Sequence, residues 1–238
     1  MCIIPFLMYN CCNSNRNFKF IYWYLLEKSY NYCVYFLILF MRKIILASNN
    51  QHKTKEFKEI FKDSEILSLN DIWYLDDIVE NWETFLDNAL IKCRTVLEYL
   101  KWKWIEANII ADDSGLCVNA LNWNPWVYSA RYAWWHWNDA ANRAKLLEEL
   151  KWKSDRSAYF NCTIVEMFPN WEYIYSEWKT YWTILEEEIW DKSFGYDCLF
   201  LSNDLHKSFW EAADDEKNSI SHRWRAIANL IEKEGNDR

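Results

Sequence analysis

The chain has 238 residues, a formal net charge of −8 and apolar residues at 51% of its positions. This length is sufficient for one large domain or for two small lobes around a substantial core. Because the net charge is negative, no basic field covers the whole molecule, which argues against a dedicated nucleic-acid-binding protein. A small anionic ligand remains compatible with this charge, because a few local cations or a helix N-terminus can hold it.

Tryptophan and glycine occur in unusual numbers. The chain has 17 Trp and only 3 Gly, whereas glycine alone averages about 7% of the residues of a protein. Many of the Trp residues lie in polar turn sequences in which a positive φ angle is common, such as Asn122-Trp123-Asn124 and Pro169-Asn170-Trp171. We hypothesise that the source organism reads as glycine a codon that is written here as Trp. The alternative is a genuinely tryptophan-rich protein.

The first 40 residues differ in character from the remainder. They contain four of the eight cysteines and show no helical or strand periodicity. The apolar run Tyr32–Phe40 is too short to span a bilayer, and no signal-peptide cleavage pattern is present. We interpret residues 1–40 as a mistranslated or disordered extension and residues 41–238 as the functional domain, and we expect no membrane partner. The other four cysteines are scattered, which suits a reducing cytoplasm and indicates neither a zinc site nor a disulfide framework.

From Met41 onward, patterns typical of strands alternate with patterns typical of helices. Short apolar runs predict buried strands, and apolar residues at helical spacing predict amphipathic helices. The predicted strands are Lys43–Ala47, Glu65–Leu69 and Ala107–Ala111, and the predicted helices follow Asn50 or span Thr84–Leu100 and Asn138–Leu150. The strand Ala107–Ala111 is expected to end abruptly at Asp112-Asp113-Ser114-Gly115.

The middle of the chain has a stronger strand character. Ala158–Phe168 and Tyr173–Ser176 are predicted to form a hairpin, and further strands are predicted near Thr183–Leu185 and Leu199–Leu201. A last helix is predicted from about Asp215 toward Glu232. This order of elements predicts an α/β fold with a mixed central sheet flanked by helices, to which the middle segment contributes a smaller β-rich part.

Two of the candidate functional segments follow predicted strands. Ser48–Lys53 opens the first helix, where free N–H groups and the charge of Lys53 could hold phosphate, although a capped helix with a solvated lysine explains the segment equally well. In Asp112-Asp113-Ser114-Gly115, adjacent side chains face opposite ways, so we expect one Asp to point into a cleft. A carboxylate there could bind Mg²⁺ or accept a proton from water. The alternative is an acidic turn closed by Gly115.

Two further candidate segments lie near the C-terminus. In Ser193–Asp197, an aromatic residue beside Gly195 and a following carboxylate could stack on a base and accept a hydrogen bond from its edge. In Glu216–Arg223, the basic residues could contact phosphate or base oxygens, and His222 could donate to a purine carbonyl. A tight turn with core aromatics and a solvated helix are the structural alternatives for these two segments.

Taken in order, these segments resemble the inosine triphosphate pyrophosphatase family. The resemblance extends from Met41 to about Ile231, and its motifs are Ile45–Lys53, Glu80–Ala89, Ala111–Leu116, Asn124–Tyr132, Phe194–Asp197 and Glu216–Arg223. It implies two lobes with a nucleotide cleft between them, a homodimer, and hydrolysis of ITP, dITP or XTP to the monophosphate and pyrophosphate.

The resemblance also assigns roles to individual residues. Asp113 would be the general base that activates water, and Glu80 with Asp113 would bind Mg²⁺. The residues implied in binding the purine nucleoside triphosphate are Ser48, Asn49, Asn50, Gln51, His52, Lys53, Ser114, Phe194, Gly195, Tyr196, Asp197, Lys217, His222 and Arg223. Selectivity for a 6-oxo purine would come from donors to its O6 atom, which a 6-amino group cannot satisfy.

This sequence departs from the family pattern at several positions. Trp is present where relatives typically have glycine, at positions 82, 123, 126, 134, 178, 182, 190 and 224. Asn49 and His52 also replace family glycines, and Cys198 replaces a proline. Two alternatives to the implied activity remain open here. One is a related pyrophosphatase that prefers pyrimidines, and the other is a non-catalytic, membrane-associated, tryptophan-rich binding module.

Overall fold

A computed structural model describes residues 42–81, 83–133, 138–189, 195–208, 211 and 221–236. Its strands are β1 (Arg42–Leu46), β2 (Ser64–Leu67), β3 (Asn108–Val118), β4 (Ser157–Met167), β5 (Tyr173–Ile184) and β6 (Phe200–Ser202), and its helices are α1 (Gln51–Ile60), α2 (Phe85–Trp102), α3 (Asp139–Leu150) and α4 (His222–Asn236). The strands form one sheet in the order β2-β1-β3-β4-β5-β6. β1 is parallel to β3, whereas β3, β4, β5 and β6 pair antiparallel. The predicted α/β fold with a mixed sheet is therefore confirmed.

Polar side chains define where three of the helices begin. Asn50 caps α1 by accepting hydrogen bonds from the backbone N–H groups of His52 and Lys53, Thr84 caps α2 by accepting one from Asp87, and Asn138 caps α3 by accepting one from Ala141. Asn, Thr and Asp are favoured there because their side-chain oxygens satisfy the first free N–H groups of a helix. Local sequence is thus sufficient to place these helix starts.

The main correction concerns β3, which does not end at Ala111. The strand continues through Asp112-Asp113-Ser114-Gly115 to Val118, and it pairs with β4 from Ile109↔Met167 to Val118↔Ala158. The backbone of the acidic motif is therefore held by a partner strand some 50 residues later in the chain, which local polarity does not reveal. Likewise, the strands predicted at Tyr173–Ser176 and Thr183–Leu185 are parts of the single strand β5.

Gly115 is required in β3 for close packing rather than for a turn. A Cβ atom at this position would lie 2.3 Å from the carbonyl oxygen of Trp126 and 2.8 Å from the ring of Phe85. Glycine permits this approach of a neighbouring backbone within a strand. The interpretation of Gly115 as the end of an acidic turn is accordingly wrong.

The buried apolar residues lie on both sides of the acidic part of β3. The first core region surrounds Ile109–Ala111 and includes residues of α1, α2 and α4. The second core region surrounds Leu116 and Val118 and includes residues of α3 and β6. The acidic segment Asp112–Ser114 therefore lies between these core regions along β3.

Several tryptophans have a backbone conformation typical of glycine. Five of the seven non-glycine residues with positive φ in the described ranges are Trp, with φ between 57° and 73°: Trp73, Trp104, Trp123, Trp126 and Trp171. A residue with a Cβ atom is less stable in this left-handed region by roughly 1–2 kcal/mol. Five such positions amount to a cost of roughly 5–10 kcal/mol, comparable with the whole stability of a typical domain.

No helix in the described ranges is long and apolar enough to cross a membrane.

Candidate active site

The loop Ser48–Lys53 connects the end of β1 to the start of α1. The Ser48 hydroxyl accepts a hydrogen bond from the backbone N–H of Asn50 at 3.1 Å, and Asn50 in turn caps the helix. The side chain of Asn49 accepts a hydrogen bond from the backbone of Asn70 at 3.0 Å. Gln51 and His52 are exposed on the first turn of α1. The N-terminus of α1 is therefore capped by Asn50, and its first residues are exposed.

Asp112 lies on the face of β3 toward α1 and α4, where positive charges surround it. Lys53 Nζ is 2.9 Å from each of its carboxylate oxygens, Arg223 Nε is 3.1 Å from Oδ2, and the Ser114 hydroxyl lies 3.2 Å from Oδ2. The Arg223 guanidinium also pairs with Glu56. Burial alone would raise the pKa of Asp112, but Lys53 and Arg223 hold it well below its usual range. Asp112 is therefore ionised and is tied to two cations.

Asp113 lies on the opposite face of β3, toward α2. Its carboxyl group is buried, 3.8 Å from Lys92 Nζ, and its Oδ2 atom has no hydrogen-bond partner among the described residues. Burial raises the pKa of Asp113 to about 6, an effect that the neighbouring Glu80 carboxylate increases and Lys92 opposes. A buried carboxylate with a pKa near neutrality and a free oxygen atom is well suited to accept a proton.

Lys92 connects the residues on this face and was not identified from the sequence. Its Nζ atom donates to Glu80 Oε2 at 3.1 Å and to the carbonyl oxygen of Asp112 at 2.8 Å. Burial alone would lower the pKa of Lys92, but the carboxylates of Asp113, Glu80 and Asp112 raise it. A signal for this residue was present, because Lys92 interrupts the apolar stripe Phe85, Ala89, Val96 and Leu100 of α2.

His222, at the start of α4, lies in an aromatic environment. Its ring stacks on Phe160 with the centroids 4.9 Å apart and the planes 12° apart. Burial and the neighbouring Arg223 lower the pKa of His222 to about 3. The imidazole is therefore neutral at pH 7, with one nitrogen able to donate a hydrogen bond and the other able to accept one.

Phe160 also connects His222 to the turn Gly195–Asp197. The ring of Tyr196 lies 6.5 Å from that of Phe160, and the Tyr196 hydroxyl donates to the carbonyl oxygen of Ser129 at 2.7 Å. Asp197 is partly buried and opens a short 3-10 turn. The predicted site residues Phe194 and Lys217 lie outside the described residues.

The structure thus forms two groups of polar residues on opposite faces of β3. Ser48, Asn50, Lys53, Asp112, Ser114 and Arg223 form one connected group, and Asp113, Glu80 and Lys92 form the other. Such clusters of perturbed carboxyl groups in an α/β sheet, beside a helix N-terminus, are typical of enzymes that bind phosphorylated ligands. The architecture and these residues therefore indicate an enzyme that acts on a phosphorylated ligand.

Comparison with known proteins narrows this class to one family. The family model of the Ham1 family matches residues 44–233. The chain is 48% identical over 195 residues to the dITP/XTP pyrophosphatase of Clostridium perfringens, covering 80% of this chain and 96% of that protein. It is 41% identical over 194 residues to the dITP/XTP pyrophosphatase of Bacillus licheniformis, covering 80% and 96% of the two chains.

Solved structures agree with this assignment. The Ham1 protein of Staphylococcus aureus superposes with a TM-score of 0.74 at 35% identity, covering 83% of this chain and 100% of that chain. The chain belongs to the Ham1 family. The family resemblance inferred from the motifs is therefore confirmed, and the alternative of a tryptophan-rich binding module receives no support.

Proposed function

We propose that this chain hydrolyses the non-canonical purine nucleoside triphosphates ITP, dITP and XTP to the nucleoside monophosphate and pyrophosphate. Relatives at up to 48% identity are named dITP/XTP pyrophosphatases. The observation that carries the proposal is the buried carboxyl group of Asp113, whose pKa is raised to about 6 beside Glu80 and Lys92. Hydrolysis between the α- and β-phosphates requires a base for the attacking water, and this group is suited to that role.

In the proposed reaction, Asp113 accepts the proton of the attacking water. With a pKa of about 6, the carboxyl group is mostly ionised at pH 7 and still basic enough to accept a proton. Lys92 holds the carboxylates of Asp113 and Glu80 in place through its contacts of 3.8 Å and 3.1 Å. Its positive charge also limits the repulsion between them. The proton that Asp113 accepts from the attacking water is afterwards released to solvent.

Mg²⁺ is the proposed cofactor, and Glu80 and Asp113 would hold it. Both residues supply carboxylate oxygens, and Asp113 Oδ2 is buried without a hydrogen-bond partner among the described residues, as expected of an atom that awaits a ligand. Mg²⁺ usually binds one or two carboxylates together with substrate phosphates and water, which agrees with this small donor set. When bound, the ion would neutralise charge on the phosphates.

The remaining residues would bind the substrate. Ser48, Asn50 and Lys53 would hold the triphosphate at the N-terminus of α1, and Ser114 would contact it from the same face of β3 as Asp112. Lys53 is already held near this position by its ion pair with Asp112. On the base side, the neutral His222 would donate to the O6 atom of the purine. Arg223, which contacts Asp112 and Glu56, would help to shape the base and sugar pocket with His222.

The test is pyrophosphate release by the chain beginning at Met41. ITP, dITP, XTP, ATP, GTP, CTP and UTP are compared with Mg²⁺ and with a chelator. We expect Mg²⁺-dependent release that favours ITP, dITP and XTP. A preference for CTP or UTP would support the pyrimidine alternative, and a folded chain without turnover on any substrate would contradict the proposal. Size-exclusion chromatography with light scattering tests the accompanying proposal of a homodimer, and fractionation of host cells tests the cytoplasmic location.

A further inference from the structure

Arg143 of α3 contacts the turn Gly195–Asp197 from inside the protein. Its side chain is 5% exposed, and its Nη1 atom donates to the carbonyl oxygen of Gly195 at 2.9 Å. One turn earlier on the same helix, Asp139 accepts a hydrogen bond from the backbone N–H of Gly195 at 2.8 Å. Both backbone groups of Gly195 are therefore bound by a single helix face, because residues four apart on a helix lie side by side.

The same guanidinium also pairs with an acidic residue. Arg143 Nε lies 3.1 Å from Glu188 Oε1, so one planar group contacts both a carboxylate and the Gly195 carbonyl. The contact with Gly195 is a hydrogen bond, and the contact with Glu188 is an ion pair. A planar guanidinium can make both contacts at once, whereas lysine is a point charge. A buried arginine with this pattern holds a backbone segment in one position.

The position of this turn matters because the ring of Phe160 connects it to His222. Tyr196 contacts Phe160, and Phe160 stacks on His222. Gly195 has a φ angle of 58°, which glycine adopts readily, and its backbone N–H and C=O groups are bound by Asp139 and Arg143. We propose that Arg143 is a positioning residue for base selection, which holds Tyr196 and Asp197 at the base-binding end of the site. This inference rests on the proposed pyrophosphatase function.

The test is a comparison of substrate preference in three variants of the chain. Arg143→Gln removes the charge, Arg143→Lys keeps the charge without the fork, and Glu188→Gln removes the carboxylate partner. We expect Arg143→Gln to lower the ratio of kcat/KM for ITP to that for ATP about tenfold, mainly through KM, as expected for losing one charge-assisted hydrogen bond. Arg143→Lys and Glu188→Gln should lower this ratio less. Lys151→Gln, at the exposed end of α3, is the matched control.

Each outcome has a distinct meaning. If the ratio of kcat/KM for ITP to that for ATP is unchanged in all folded variants, even when their melting temperature is lower, the proposed role of Arg143 in base selection is wrong. Arg143 would then contribute only to stability. If Arg143→Gln does not fold, the other two variants decide by the same criterion. A wild-type chain without turnover contradicts the proposed function itself rather than the role of Arg143.

A second inference follows independently from the backbone at the tryptophans. Of the ten Trp residues in the described ranges, five have positive φ. Bulky residues are rare in this conformation, whereas glycine adopts it readily. In addition, the indole nitrogens of Trp178 and Trp224 are buried without a hydrogen-bond partner in the described part of the chain. A buried indole N–H normally has a partner. We infer that the natural protein carries glycine at the positions written as Trp.

The direct test is the intact mass of the protein purified from its source organism. A mass that corresponds to glycine at the Trp positions supports the inference, and a mass that corresponds to Trp overturns it. Recombinant chains provide an independent test. Glycine at the four substantially exposed positive-φ positions, Trp73, Trp104, Trp123 and Trp171, should raise the melting temperature by roughly 10 °C. Trp102→Gly with Trp152→Gly is the control, because both residues are exposed outside the positive-φ region. An equal or smaller rise than in the control contradicts the inference.

Discussion

Asp112 and Asp113 are neighbours in the sequence, but the two faces of β3 surround their carboxyl groups differently. Asp112 contacts the cations of Lys53 and Arg223, which hold its pKa well below the usual range. Asp113 is buried beside another carboxylate and one lysine, and its pKa rises to about 6. The same side chain thus stays ionised at neutral pH on one face, whereas on the other face its pKa is raised to about 6. The comparison shows that the neighbours, rather than the residue type, determine the chemistry.

The largest expected effect is the loss of turnover in Asp113→Asn. Without the proposed base, kcat should fall roughly 10²- to 10⁴-fold, which is the range for loss of general base catalysis. The measurement is pyrophosphate release from ITP at saturating Mg²⁺, with circular dichroism to confirm that the variant is folded. A folded Asp113→Asn variant with nearly wild-type kcat would contradict the assigned role.

The next largest effect is the loss of stability in Asp112→Asn. This change leaves Lys53 and Arg223 without their shared buried carboxylate, and breaking such a pair costs about 3–5 kcal/mol. Urea unfolding measures the free energy of unfolding. Glu65→Gln is the control, because its exposed pair with Lys43 at 3.7 Å should contribute at most about 1 kcal/mol. Equal losses of unfolding free energy in both variants would show that the contacts of Asp112 with Lys53 and Arg223 contribute no more to stability than an exposed ion pair.

The pH dependence of stability should separate the two carboxyl groups. The pKa of Asp113 is raised from 3.8 to about 6, so the folded state binds the extra proton between these values. Its contribution to the free energy of unfolding therefore falls as pH rises through this window. Asp112 has a lowered pKa, so its contribution is present above its unfolded value and is lost as pH falls below it.

Asp113→Asn tests this sign directly. The variant should be more stable than the wild type at pH 7 by roughly 2–3 kcal/mol, because each pKa unit corresponds to about 1.4 kcal/mol. The difference should vanish at acidic pH, where Asp113 is protonated in both states. Thermal unfolding across this pH range provides the measurement. A variant that is less stable at pH 7 would refute the raised pKa of Asp113.

The smallest expected effect concerns Glu56→Gln. Glu56 is the outer partner of Arg223, with a side chain that is 32% exposed, and Arg223 retains its contact with Asp112. The loss of a partly exposed ion pair should lower the free energy of unfolding by up to about 1 kcal/mol. The same urea experiment compares this variant with Asp112→Asn. A loss of unfolding free energy as large as that of Asp112→Asn would show that the pair of Arg223 with Glu56 contributes as much to stability as the contacts of Asp112.

Most of the fold was predictable because its signals are local. Asn50, Thr84 and Asn138 each cap a helix by accepting hydrogen bonds from backbone N–H groups two or three residues further along the chain, so these helix starts depend only on nearby sequence. The length of β3 was not predictable in this way. Its acidic segment looks like a turn, and only pairing with β4 makes it part of a strand. Lys92 and Arg143 were missed for a similar reason, since their partners lie in other elements.

From the sequence we expected Asp112 and Asp113 to point in opposite directions, because side chains alternate along an extended backbone; the pairing with β4 is what makes this segment extended. The order of the motifs along the chain was also sufficient to recognise the family. Which charges lie on which face of β3 follows from the packing of distant elements. Arg223 reaches Asp112 from a position 111 residues away, and Lys92 reaches Asp113 from a different helix. Electrostatic fields depend on distance in space, so the pKa difference between two adjacent residues arises only after folding.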